Sequence, residues 1–170
     1  MSDYEIRESG GYFGRLEGKL YSELFGCKIP FLTSKNCGEE YARRCAEFFE
    51  GLSLSNEAVN RVLSAAGEYL FDFLEEHADE FEIDTAGFDE PSAEAVPEIS
   101  EPVSLVFERS SLLSDDDCPP AFSLKLRIKE VPDEIFEIAM REDFPVYVGE
   151  YRGVSPWNER LLKKKHNYVS

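Results

Sequence analysis

Ala121-Phe122-Ser123-Leu124-Lys125-Leu126-Arg127-Ile128-Lys129 alternates apolar and polar side chains from Phe122 onward. Successive side chains of a strand point to opposite faces, so this period of two predicts a strand with one face in a core. Pro102-Val103-Ser104-Leu105-Val106-Phe107-Glu108 reads as a strand ahead of it, and Glu134 to Met140 and Phe144 to Tyr151 as two more behind it. Arg141-Glu142-Asp143 between the last two is a compact turn. Near the start, Tyr12 to Leu20 and Glu23 to Thr33 are rich in aromatic and β-branched residues and punctuated by glycine, the pattern of a hairpin or two short strands.

Helical spacing separates these two groups of strands. Asn36-Cys37-Gly38-Glu39 offers an N-cap followed three residues later by an acid, and Tyr41, Cys45, Phe48, Phe49 and Leu52 then recur on one helical face. After a break at Gly51 and Ser53-Leu54-Ser55, a longer helix is predicted from Ser55 or Asn56 to about Ala78, with Val59, Val62, Leu63, Ala66, Leu70, Phe73 and Leu74 as its apolar stripe. Two helices joined by a tight turn predict an αα-hairpin. The expected fold class is therefore α+β: an antiparallel sheet packed against a helical hairpin, in a single domain over residues 1–170. Asp79 to Ser100, acidic and dotted with Gly87, Pro91 and Pro97, reads as an acidic loop or linker, and residues 158–170 as a basic tail.

At 170 residues the chain has the length of one domain, and 42% hydrophobic with 13% aromatic residues supplies a core. Against 18 basic residues stand 35 acidic ones, a formal charge of −17. Phosphate backbones and anionic lipid surfaces repel such a chain, which excludes a general nucleic-acid binder and argues against a membrane partner. No apolar run reaches the roughly 18–20 residues of a membrane span, and Met1 to Glu8 lacks the basic and apolar regions of a secretory signal, so the expected address is the cytoplasm. Cys27, Cys37, Cys45 and Cys118 are spaced too widely for a metal knuckle or a redox pair and read as reduced thiols.

The charge has a location. From Glu57 to Glu101 fourteen acidic residues face Arg61 alone, a balance of −13 out of −17. Between Arg152 and Ser170 the sign reverses, with Arg152, Arg160, Lys163, Lys164 and Lys165 against Glu159. A dense acidic segment steers and complements a basic protein surface, so Glu68, Asp72, Glu75, Glu76, Asp79, Glu80, Glu82 and Asp84 are the candidate partner-binding residues.

Catalytic and cofactor motifs do not assemble. There is no Gly-x-Ser-x-Gly elbow, no Walker loop and no dinucleotide turn, and Gly10, Gly11 and Gly14 read as turn residues. His77 lies among glutamates at a helix end, and His166 lies in the tail. Asp115-Asp116-Asp117 offers hard oxygen ligands, but in a contiguous run that lacks the alternation and central glycine of a calcium loop. No catalytic, cofactor or metal residues are assigned, and the expected class is a non-enzymatic interaction protein. The alternative is a small-molecule or divalent-metal-binding protein, or a hydrolase of unrecognised type, with Asp115 to Asp117 and His77 as its handles. Tyr147, Tyr151 and Trp157 read as the edge of a core or as a contact surface.

Two blocks carry a resemblance. Phe144 to Trp157 resembles the closing strand and turn of small bacterial proteins of unknown function found among predicted immunity proteins of toxin systems, and Leu24 to Thr33 with the helix from Tyr41 to Leu52 is similar to their start. Where those proteins carry a Glu-His-Gly-like turn before the last hairpin, this chain has Val131-Pro132-Asp133-Glu134. The resemblance implies an α+β sheet domain and an immunity-type inhibitor that covers a basic toxin surface, and it implies no enzyme.

Overall fold

The alternation after Phe122 is realised as the fifth strand of a seven-stranded sheet. The computed structural model describes residues 5–81, 90–158, 160–161 and 166–169. In chain order the elements are β1 (Arg7–Glu8), β2 (Leu16–Ser22), β3 (Cys27–Thr33), α1 (Glu39–Glu50), α2 (Glu57–Phe81), α3 (Val96–Ile99), β4 (Ser100–Phe107), β5 (Ala121–Ile128), β6 (Val131–Arg141) and β7 (Phe144–Glu150). The strands lie in the sheet in the same order as in the chain.

One pairing corrects the expected all-antiparallel sheet. β3 and β4 run parallel, with Phe31 beside Leu105 and Thr33 beside Phe107, while every other pair is antiparallel. Parallel neighbours cannot be joined by a tight turn, and the helical segment between β3 and β4 is the crossover that returns the chain to the same end. The sheet is mixed, and the fold is α+β.

The helices cover one face. Ile29, Phe31, Leu105, Phe107, Leu124, Leu126, Phe136 and Ile138 are buried beneath them, with Tyr41, Phe49, Val62, Leu70 and Leu74 on the helix side. The expected helical hairpin is not what packs there: α1 lies on β2, whereas α2 lies on β7 and β6. Seven strands at about 4.8 Å spacing make a sheet about 29 Å wide, and a helix about 10 Å across cannot cover it. The two helices therefore spread towards opposite ends. Near their connection Phe49, Leu52, Val59, Val62 and Leu63 wall one small apolar void of about 20 Å³.

Helix α1 starts differently from the expected capping box. Asn36 takes a left-handed turn (φ 63°), and the cap position falls on Gly38, which has no side chain to accept from the first N–H groups of the helix. The N–H of Gly38 itself finds its acceptor far along the chain: Asp115 Oδ2 receives it at 2.9 Å, and Arg109 holds Asp115 at 2.7 Å. A Cβ at position 38 would stand 2.6 Å from that carboxylate oxygen, so glycine is needed for its approach.

The described residues at the two ends of the expected acidic loop or linker are partly helical. Helix α2 continues to Phe81, Ala93 and Val96 are buried, and α3 leads into β4. Gly67, at mid-helix, lets the Ser92 carbonyl come so close that a Cβ there would meet it at 2.5 Å. Of the tail's described residues, Leu161 and Val169 are buried. Asn167 reaches the outer edge of β7, its amide oxygen accepting from Val148 N–H and its amide nitrogen donating to Val146 O, while Tyr168 N–H bonds Val148 O. Among the described residues no helix is long and apolar enough to cross a membrane, and all four cysteines are free thiols.

Candidate functional site

Helix α2 carries the acidic surface. Its 25 residues extend about 37 Å at 1.5 Å each. Val59, Val62, Leu63, Ala66, Leu70, Phe73 and Leu74 are buried as the apolar spacing predicts. Glu68, Asp72, Glu75, Glu76, Asp79 and Glu80 are exposed, and at 100° per residue their positions fall within an arc of about 140°. Glu82 and Asp84, the other two candidate partner residues, lie outside the described residues, as do Lys163 to Lys165.

This arrangement works against the helix that carries it. Glu68 and Asp72, Asp72 and Glu76, Glu75 and Asp79, and Glu76 and Glu80 are like charges four apart, each such pair unfavourable by about 0.2–0.5 kcal/mol. Asp79 and Glu80 sit at the negative end of the helix dipole, and no basic residue occupies the last turn. Two local contacts relieve the strain in part. His77 Nδ1 is 3.0 Å from Glu80 Oε2 and its Nε2 is 3.6 Å from Glu76 Oε2, with the ring 4.7 Å from that of Phe73. Tyr168 O–H donates to Asp72 Oδ2 at 2.9 Å, and burial together with that neighbouring carboxylate pushes its phenol up to about 12.

The other candidates resolve into structure. Asp115 is committed to Gly38 and Arg109, and the Asp115 and Cys118 carbonyls both accept from Arg44. Ser114 Oγ donates to Asp117 Oδ2. Among the described residues no group of three His, Cys, Asp or Glu side chains is placed to hold a metal ion. Trp157 Nε1–H donates to Glu108 O at 2.6 Å and Tyr147 is fully buried, so both belong to the packed edge.

Sequence reasoning passed over a pair of carboxylates on the sheet face turned away from the helices. Glu137, only 1% exposed, accepts the N–H groups of Arg152 and Val154 on one oxygen, at 2.8 and 3.2 Å. Burial raises its carboxyl above the ordinary carboxylate value, and the loop N–H groups and the Lys125 charge oppose the rise. Burial likewise raises Glu108, against a Ser155 hydrogen bond and the attraction of Arg15. The available signal was one charge inside the apolar run Ile135-Phe136-Glu137-Ile138-Ala139-Met140. No family model, curated protein or solved structure matches this chain.

Proposed function

We propose that this protein is a non-enzymatic interaction protein that engages a basic protein partner through the acidic face of α2. Glu68, Asp72, Glu75, Glu76, Asp79 and Glu80 provide the attraction, and Glu82 and Asp84 extend the same charge run. The observation that carries the reading is the charge pattern itself. Four like-charge pairs and an acidic helix end lower the stability of α2, so helix stability does not account for their presence. A field of one sign over about 20 Å of helix speeds and orients encounter with a surface of the opposite sign. The partner class in this reading is a toxin whose basic active-site surface the acidic face covers, in a reducing compartment where the four thiols persist.

The test is capture of partners from cell extract at low and high salt, with the natural chain and with Glu75→Lys/Glu76→Lys/Glu80→Lys. A basic protein retained at low salt by the natural chain, released by salt and not retained by the folded triple variant is the expected result. If every retained protein binds the triple variant equally well, or no basic protein is retained, the reading fails.

A further inference from the structure

A cavity of about 190 Å³ opens on the sheet face opposite the helices. Its floor is the outer face of the central strands, where Ser104 lies beside Lys125 and Lys125 beside Glu137 in the register. Its wall includes Tyr151, Gly153 and Val154. That wall is fixed at two points, by Glu137 on the Arg152 and Val154 N–H groups and by Ser123 Oγ donating to Val154 O at 2.9 Å. The space is therefore preformed by strands and a clamped loop.

Four charged side chains line it: Arg15, Lys125, Glu108 and Glu137. Directly opposed residues on antiparallel strands have Cβ atoms about 5 Å apart, close enough for Lys125 and Glu137 to pair. They do not form a salt bridge. The Glu137 carboxylate is turned to the loop amides, and Lys125 Nζ lies over the Tyr151 ring, 4.7 Å from its centroid. The Arg15 guanidinium lies 5.8 Å from the Tyr12 ring centre and forms no salt bridge with Glu108. Two cations and two carboxylates thus share one cavity without closing on each other. Their charges cancel, which favours a ligand with no net charge that carries both signs.

Size narrows the class. The volume equals the liquid share of roughly six waters and lies below the roughly 300 Å³ at which drug-sized pockets begin. We propose that this cavity binds a small α-amino-acid zwitterion, with its carboxylate on Lys125 and Arg15, its ammonium on Glu108, and Glu137 holding the loop that closes the wall. The site is independent of the acidic face of α2.

Titration calorimetry on the full chain, with glycine, alanine and serine as probes and propionate, ethylamine and glycerol as controls, tests the assignment. Saturable heat is expected with at least one zwitterion and with none of the controls, weakened at least tenfold by Lys125→Gln and by Glu108→Gln. Chemical-shift mapping of the natural protein with the same probes covers the case of a variant that does not fold. Shifts should centre on β4, β5, β6 and residues 151–154. Absence of both heat and shifts with all three amino acids overturns the site. Equal binding of propionate, ethylamine or glycerol overturns the ligand class, and shifts centred elsewhere overturn the location.

Discussion

The six carboxylates from Glu68 to Glu80 on α2 stand in water, and two on the sheet, Glu108 and Glu137, lie largely out of it. The chemical group is the same, and the surroundings give it two kinds of role. On α2 no single acid is irreplaceable, because each contributes a share of a field that salt screens over about 8–10 Å. On the sheet Glu137 has named partners at hydrogen-bond distance, and one missing oxygen leaves loop amides without an acceptor. The contrast separates charge used collectively from charge used individually.

The largest expected break in that contrast is Glu137→Ala. It removes a buried acceptor from the Arg152 and Val154 N–H groups, and urea unfolding should show a loss of about 2–4 kcal/mol. Faster amide exchange over residues 151–154 should accompany it, whereas Glu75→Ala should stay within about 0.5 kcal/mol of the natural chain. Asp115→Ala, which takes the distant acceptor from the start of α1 and the partner from Arg109, should cost about 1–2 kcal/mol by the same measurement.

An effect of opposite sign comes next. Glu75→Gln/Glu76→Gln/Asp79→Asn/Glu80→Gln removes like-charge pairs and the acidic helix end, and should stabilise the fold by about 1 kcal/mol at low ionic strength. High salt should erase most of that gain. If the gain persists in salt, the α2 acids do not act through a screened field and the contrast with Glu137 collapses.

The pH dependence sharpens it further. Glu108 and Glu137 have carboxyls raised on folding, so the folded state holds their protons more tightly than the unfolded chain. The stability they contribute is present below the ordinary carboxylate value and is lost as pH rises through the raised values. The unfolding midpoint in urea should therefore fall as pH rises across that window, and Glu108→Gln/Glu137→Gln should flatten the profile. Tyr168→Phe gives the smallest effect: loss of one partly exposed hydrogen bond to Asp72 should cost about 0.5–1 kcal/mol.

What the sequence made legible follows the range of the interaction responsible. The alternation after Phe122 and the stripe from Val59 to Leu74 are local periodicities, and both became the elements they predict. The exposure of Glu68 to Glu80 follows from the same stripe, because residues off an apolar face meet water. The parallel pairing of β3 with β4 has no local signature, since strand direction is set by how the intervening helices carry the chain. The cap of α1 was sought in Asn36, two residues before Gly38, where it falls, and the Gly38 N–H is bound by Asp115 from the loop between β4 and β5. Glu137 was visible as an isolated charge in an apolar run, but its partners 152 and 154 follow a turn and a further strand.

The seal on β7 has a consequence for how the chain comes into being. Among the described residues its edge groups, Val148 N–H and the Val146 and Val148 carbonyls, find their partners in Asn167 and Tyr168. Synthesis proceeds from the N-terminus, so the strand leaves the ribosome before its cover. For that interval the sheet presents a bare template on which a second nascent chain can add a strand. Chains interrupted between Glu150 and Asn167 should therefore be recovered as aggregates, because they lack the side-chain amide that stands in for a strand residue at that edge.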